Sequence, residues 1–127
     1  MRNNKILGNA GEEVAYEHLI SIGYRILDKN FRCKLGEIDL IGFDGDILCF
    51  IEVKTRTSNI FGNPSEAVSP YKQHRIVKSA LMYISKNRLN NFMCRFDIIE
   101  IIADERLEDP QINLIKDAFQ YSGKYGY

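Results

Sequence analysis

Residues 36–56 constrain this chain more than any other stretch, because two apolar runs joined by a turn signal each carry ionisable residues in their interior. The runs are Gly36-Glu37-Ile38-Asp39-Leu40-Ile41 and Phe50-Ile51-Glu52-Val53-Lys54-Thr55-Arg56. Asp44-Gly45-Asp46 between them is a strong hairpin signal, giving strands over Glu37–Phe43 and Ile47–Thr55. An ionised carboxylate in a half-dry sheet is strongly disfavoured unless it is paired or binds a cation. Asp39 and Glu52 therefore read as a divalent-cation site.

Side chains alternate faces along a strand, so the register decides whether the two acids meet. With Gly45-Asp46 as the turn, Asp39 lies opposite Glu52. With Asp44-Gly45 as the turn, Asp39 faces Phe50 and Glu52 is its diagonal neighbour. Either two-residue loop sets Asp39, Glu52 and Lys54 on one face; a three-residue loop would not. The intervening positions Ile38, Leu40, Ile47, Cys49, Ile51 and Val53 are also apolar, which marks central strands covered on both faces. An exposed edge hairpin, with Glu52 and Lys54 merely solvated, fits such strands poorly.

The rest of the chain supplies the cover. A helix over Lys5–Ile22, stopped by Gly23, gathers Leu7, Gly8, Gly11, Val14, Ala15, Leu19 and Ile22 on one arc, with Glu13 and Glu17 opposite and Glu12 at its edge. The small residues Gly8, Gly11 and Ala15 let that helix approach the sheet closely, which would carry Glu12 toward the acids. A strand follows over Tyr24–Phe31. Residues 57–68 read as a polar loop. Ser69 as N-cap and Pro70 at the first position open a second helix to Lys86, with Ile76, Val77, Ala80, Leu81 and Ile84 inward. A strand over Met93–Ile102, an acidic turn over Asp104–Asp109, a short apolar stretch Ile112–Ile115 and a fraying tail from about residue 120 complete one domain over residues 1–127.

Net charge is zero, but its distribution is uneven. Residues 35–53 hold five acids and no base, whereas residues 54–95 hold eight bases and one acid. An acidic cluster followed by a basic segment suits metal-assisted phosphodiester chemistry: carboxylates for the ion, cations for the flanking phosphates. A solvated basic helix face is the plainer alternative. No stretch has the pattern of a membrane span or a signal peptide, so a soluble cytoplasmic protein without membrane partners is expected. Cys33, Cys49 and Cys94 lack metal-ligand spacing and read as reduced thiols. His18 and His74 have no partner at ligand spacing and receive no role. Glu37 shares the parity of Asp39 and reads as a solvated strand end or an outer ligand.

At these residues the chain resembles the uncharacterised bacterial YraN proteins, which are similar to archaeal Holliday-junction resolvases within the PD-(D/E)XK nuclease superfamily. The matching strings are Gly11-Glu12, Gly23-Tyr24, Asn30-Phe31-Arg32, Gly36 to Ile41, Asp44-Gly45, Ile51 to Arg56, Ala67-Val68 with Lys72, Arg95-Phe96-Asp97 and Ala118-Phe119. Ile38 stands where the superfamily's name has proline. The resemblance implies an α/β, restriction-endonuclease-like core with a central mixed sheet flanked by helices. It implies Asp39 and Glu52 as metal ligands, Lys54 as the superfamily lysine and Glu12 as a helix-borne acid at the metal.

The expected function is therefore a Mg²⁺- or Mn²⁺-dependent endodeoxyribonuclease acting on branched or single-stranded DNA, as in repair or recombination. Arg56, Lys72 and Arg75 would contact phosphates. A two-fold dimer is the simplest arrangement for cutting both strands of a junction. The rival reading is a catalytically inactive nucleic-acid-binding module that keeps the fold; a protein-interaction domain is a third, supported only by the zero net charge.

Overall fold

The element order follows from where the chain can and cannot bury its apolar side chains. The computed structural model describes residues 4–57, 68–103 and 109–120, with side chains from Asn9 to Arg56 in the first of these segments. They form α1 (Asn4–Ser21), β1 (Arg25–Cys33), β2 (Gly36–Asp44), β3 (Ile47–Thr57), α2 (Pro70–Lys86), β4 (Met93–Ala103) and β5 (Gln111–Phe119). Nearly all of the expected 57–68 loop, the Asp104–Asp109 turn up to residue 108 and the tail from residue 121 lie outside the described residues.

The five strands form one sheet in the order β1-β2-β3-β4-β5. Strands β3 and β4 are parallel, with α2 in the crossover between them, and the other neighbours are antiparallel. The two helices cover opposite faces. Ala15 and Leu19 of α1 pack with Leu40, Cys49, Ile51, Ile99 and Ile101. Ile76, Val77, Ala80 and Tyr83 of α2 pack with Ile41, Phe43, Phe50 and Ile98 on the other side. Both faces of β2, β3 and β4 are thereby buried, which is why these strands read as almost continuous apolar runs.

Local signals set several boundaries as expected. Ser69 accepts the Lys72 backbone N–H at 3.1 Å and Pro70 occupies the first turn, so α2 starts with a side-chain cap. Gly45, at φ +62°, lets Asp44 pair with Ile47 across a two-residue turn. The helix faces differ from the expected arcs. Tyr83 is buried on α2 and Leu81 is 46% exposed, so the inward arc is centred on Ile76, Ala80 and Tyr83 rather than reaching Leu81. Ile22 lies past the end of α1 and is 49% exposed. The short apolar stretch at Ile112–Ile115 belongs to a full nine-residue strand, β5.

One irregularity matters for function. On β1, Lys29 lies against α1, its ammonium 3.7 Å from the Tyr16 ring centroid, while Phe31 packs edge-on to Tyr83 of α2. On β2, Ile38 belongs to the core under α2 and Leu40 to the core under α1. Two residues apart on a regular strand share a face, so alternation is broken at Asn30 and again at Asp39. Lys29 pairs with Leu40 and Phe31 with Ile38, which places the two breaks opposite each other. Asn30 adopts φ +54°, a left-handed conformation that asparagine tolerates better than most residues.

Candidate active site

The paired breaks lie where the β2–β3 ladder stops. Its recorded pairs run from Asp44–Ile47 to Leu40–Ile51, so the next step sets Asp39 against Glu52. There the Asp39 side chain takes the place of a backbone acceptor: the Val53 N–H donates to its Oδ2 at 2.8 Å. Asp39 and Glu52 are close enough to share a hydrogen bond. Of the two registers the sequence allowed, the chain adopts the one that puts the acids directly across from each other.

This proximity has an electrostatic consequence. Burial, then the hydrogen bond and charge of Glu52, push the Asp39 carboxyl up to about 8, against the pull of the Val53 N–H. Glu52 is itself buried, at 5% exposure. Two ammonium groups compensate for it. Lys72, from the first turn of α2, stands 2.5 Å from Glu52 Oε2, and Lys54, two residues along β3, stands 3.7 Å from the same atom. The lysines differ. Burial and the neighbouring Lys72 charge hold Lys54 below its ordinary value. Burial also opposes the Lys72 charge, yet contact with Glu52 more than offsets it and holds Lys72 above its ordinary value. Lys54 is therefore the amine more ready to give up a proton.

The remaining predicted residues fall at graded distances from this centre. Glu12, on α1, is half-buried and held above the usual carboxylate range by burial and by the charges of Glu37 and Glu52, with the Asn30 side chain pulling the other way. It shares the field of the pair without joining it: among the described residues, no group of three or more Asp, Glu, His or Cys side chains is placed to hold a metal ion. The three-acid cluster expected from the sequence is thus a close pair with a third acid beside it, near enough to feel the charge of Glu52. Arg56 was expected at a phosphate; its guanidinium instead pairs with the buried Glu100 of the adjacent strand. Arg75 sits over Tyr71, its Nη1 donating to the phenolic oxygen at 3.4 Å. Glu37 is exposed and pairs with Arg32 at 3.2 Å.

Two residues near the site went unread in the sequence. Glu100 sits in the apolar run Ile98-Ile99-Glu100-Ile101-Ile102, the same signature that singled out Glu52, so the same rule finds it. Asn30 had only its tolerance of positive φ as a signal. A separate buried network, Asp97 with Arg95 and the Tyr24 hydroxyl, also accepts the Asp117 N–H and satisfies the bulge between β4 and β5.

Architecture and site together define an α/β protein whose five-stranded mixed sheet, flanked by two helices, is consistent with a restriction-endonuclease-like core. A profile of the family described as "Uncharacterised protein family UPF0102" matches residues 11–101. The chain belongs to that family, the YraN family. It is similar to the UPF0102 protein of Clostridium tetani, at 56% identity over 92% of this chain and 96% of the relative. It is also similar to those of Clostridium kluyveri and Clostridium botulinum strain Kyoto, at 51% and 50% identity over the same shares. No helix among the described residues is long and apolar enough to cross a membrane.

Proposed function

We propose that this protein is a metal-dependent endonuclease that hydrolyses phosphodiester bonds in branched or single-stranded DNA. The observation that carries the reading is the Asp39–Glu52 pair: a half-buried and a buried carboxyl brought together at the end of a ladder, with Lys54 and Lys72 beside Glu52. Carboxyls this close do not both ionise without a compensating cation, the role a divalent ion would fill. The donor set suits Mg²⁺ or Mn²⁺, since Mg²⁺ is commonly held by one or two carboxylates, the rest of its shell being water and substrate phosphate oxygens. Asp39 and Glu52 would hold the ion, with Glu12 acting from beside them. When bound, such an ion lowers the pKa of a coordinated water and offsets charge on the phosphate.

The chain's own groups supply the rest. Lys54, the amine with the lowered pKa, orients the attacking water or donates to the phosphoryl oxygen as charge builds there. Lys72 is 44% exposed and is placed to exchange Glu52 for a substrate phosphate. Purified protein should nick a four-way junction or a flap in Mg²⁺ or Mn²⁺, and Asp39→Asn or Glu52→Gln should each reduce the rate by at least about 100-fold. Cleavage that survives both changes overturns the assignment.

One observation favours a second reading. Lys72 already neutralises Glu52 within the chain, as in a nuclease fold retained for binding alone. That protein would bind DNA in a salt-sensitive manner, indifferent to EDTA, and would not cut it.

A further inference from the structure

Beside the carboxyl pair, the start of α2 and the β1–β2 end border a groove of ≈ 580 Å³. Its walls carry three cations, Arg32, Lys72 and Arg75, against one acid, Glu37, which Arg32 already engages. Lys72 lines this groove and also pairs with Glu52, so a single side chain connects the groove to the acids. Tyr71 stands on its wall with 68% of its surface exposed, the most exposed aromatic among the described residues. Nothing in the core explains this ring. Its α2 neighbours Ile76, Val77 and Ala80 are buried, whereas Tyr71 faces out with the Arg75 guanidinium carbon 5.8 Å from its centroid.

An open aromatic face amid cations, one step from a carboxylate pair, matches the chemistry of an unpaired nucleotide. The base has a π-face to stack, and its flanking phosphates carry the charge that Arg75 and Arg32 complement. A paired base has both faces covered by its neighbours and would meet only the cations. We propose that Tyr71 is a stacking platform for an unpaired base, and that this groove receives a single strand and delivers it to Glu52. The choice of ligand rests on the nuclease reading.

The test compares binding of a fluorescent oligothymidylate about twelve nucleotides long with binding of a hairpin duplex, in EDTA at fixed low salt. Tyr71→Ala should weaken single-strand binding roughly 5- to 100-fold and change duplex affinity by less than about twofold. Tyr71→Phe keeps the ring and should bind like the wild type. Because Tyr71 is exposed, unchanged melting temperatures will show that both variants fold. Wild-type protein that fails to bind the single strand, an unaffected Tyr71→Ala, or equal losses on both ligands overturns the proposal; equal losses would fit a general electrostatic or protein-contact role. Cleavage of the same strand in Mn²⁺ separates the two ideas. Cutting with Tyr71-independent binding removes the platform and leaves the nuclease, whereas Tyr71-dependent binding without cutting does the reverse.

Discussion

At Asp39 a single proton links stability to the proposed chemistry. Its carboxyl, pushed up to about 8 by burial and then by Glu52, holds in the folded chain a proton that an unfolded chain releases near 3.8. The folded state therefore binds more protons between those values, and the stability this group contributes is present below about 4 and lost as pH rises toward 8. Asparagine mimics the protonated acid, accepting the Val53 N–H through its oxygen and donating to Glu52 through its amide. Metal-free Asp39→Asn should thus melt roughly 3–6 °C above wild type at pH 8.5, and the gap should close near pH 4. Thermal scans across that range check this; a gap independent of pH would mean that Asp39 is ionised in the free protein. Metal affinity should rise with pH over the same window, since binding displaces the proton.

At the scale of elements, the seat of α1 on the sheet decides whether Glu12 comes near the pair. Gly11 makes that seat: a β-carbon built there would fall 2.0 Å from Thr55 Oγ1 and 3.1 Å from Thr55 Cβ, on β3. The hydroxyl can move only by turning the stiff, β-branched Thr55 side chain, and Cβ only with the strand. Gly11→Ala should destabilise the protein by about 1–3 kcal/mol, although alanine is the better helix former. Adding Thr55→Ala removes the nearest atom and should recover part of the loss, read as non-additivity in a urea-denaturation double-mutant cycle. Purely additive effects would show that the contact does not limit the approach. The sequence already contained this close approach in its small residues, but not the strand residue it meets.

Over the whole molecule, part of the basic run is folded onto acids of the sheet. Lys72 meets Glu52, Arg56 meets Glu100, and Arg95 bridges Asp44 and Asp97. The basic segment is therefore less a phosphate-binding face than its count of eight suggests, and the cations left toward the groove are few and specific. A cation entering the acid pair replaces one of these internal neutralisations and should stabilise the folded chain as a unit. At about 100 times its dissociation constant it adds about 2.7 kcal/mol, or roughly 10 °C in melting temperature for a chain of this size. Titration with MnCl₂ at pH 8.5 should show that rise in wild type and not in Glu52→Gln; a flat wild-type curve supports the binding-module reading.

Interactions between residues near in sequence were legible from the chain itself. The two-residue hairpin turn, the Ser69-Pro70 helix start, the doubly buried central strands and the shared face of Glu52 and Lys54 follow from backbone period, capping and turn chemistry. These act over a few residues whatever the rest of the chain does. Only the tertiary structure decided what lies across layers: that Tyr83 rather than Leu81 turns inward, that Asn30 and Asp39 break alternation together, that Arg56 belongs to Glu100, and that Glu12 stays beside the pair. Each of those outcomes depends on which side chain another element brings within a few ångströms. Desolvation and Coulomb energy are fixed by such distances, not by spacing along the sequence.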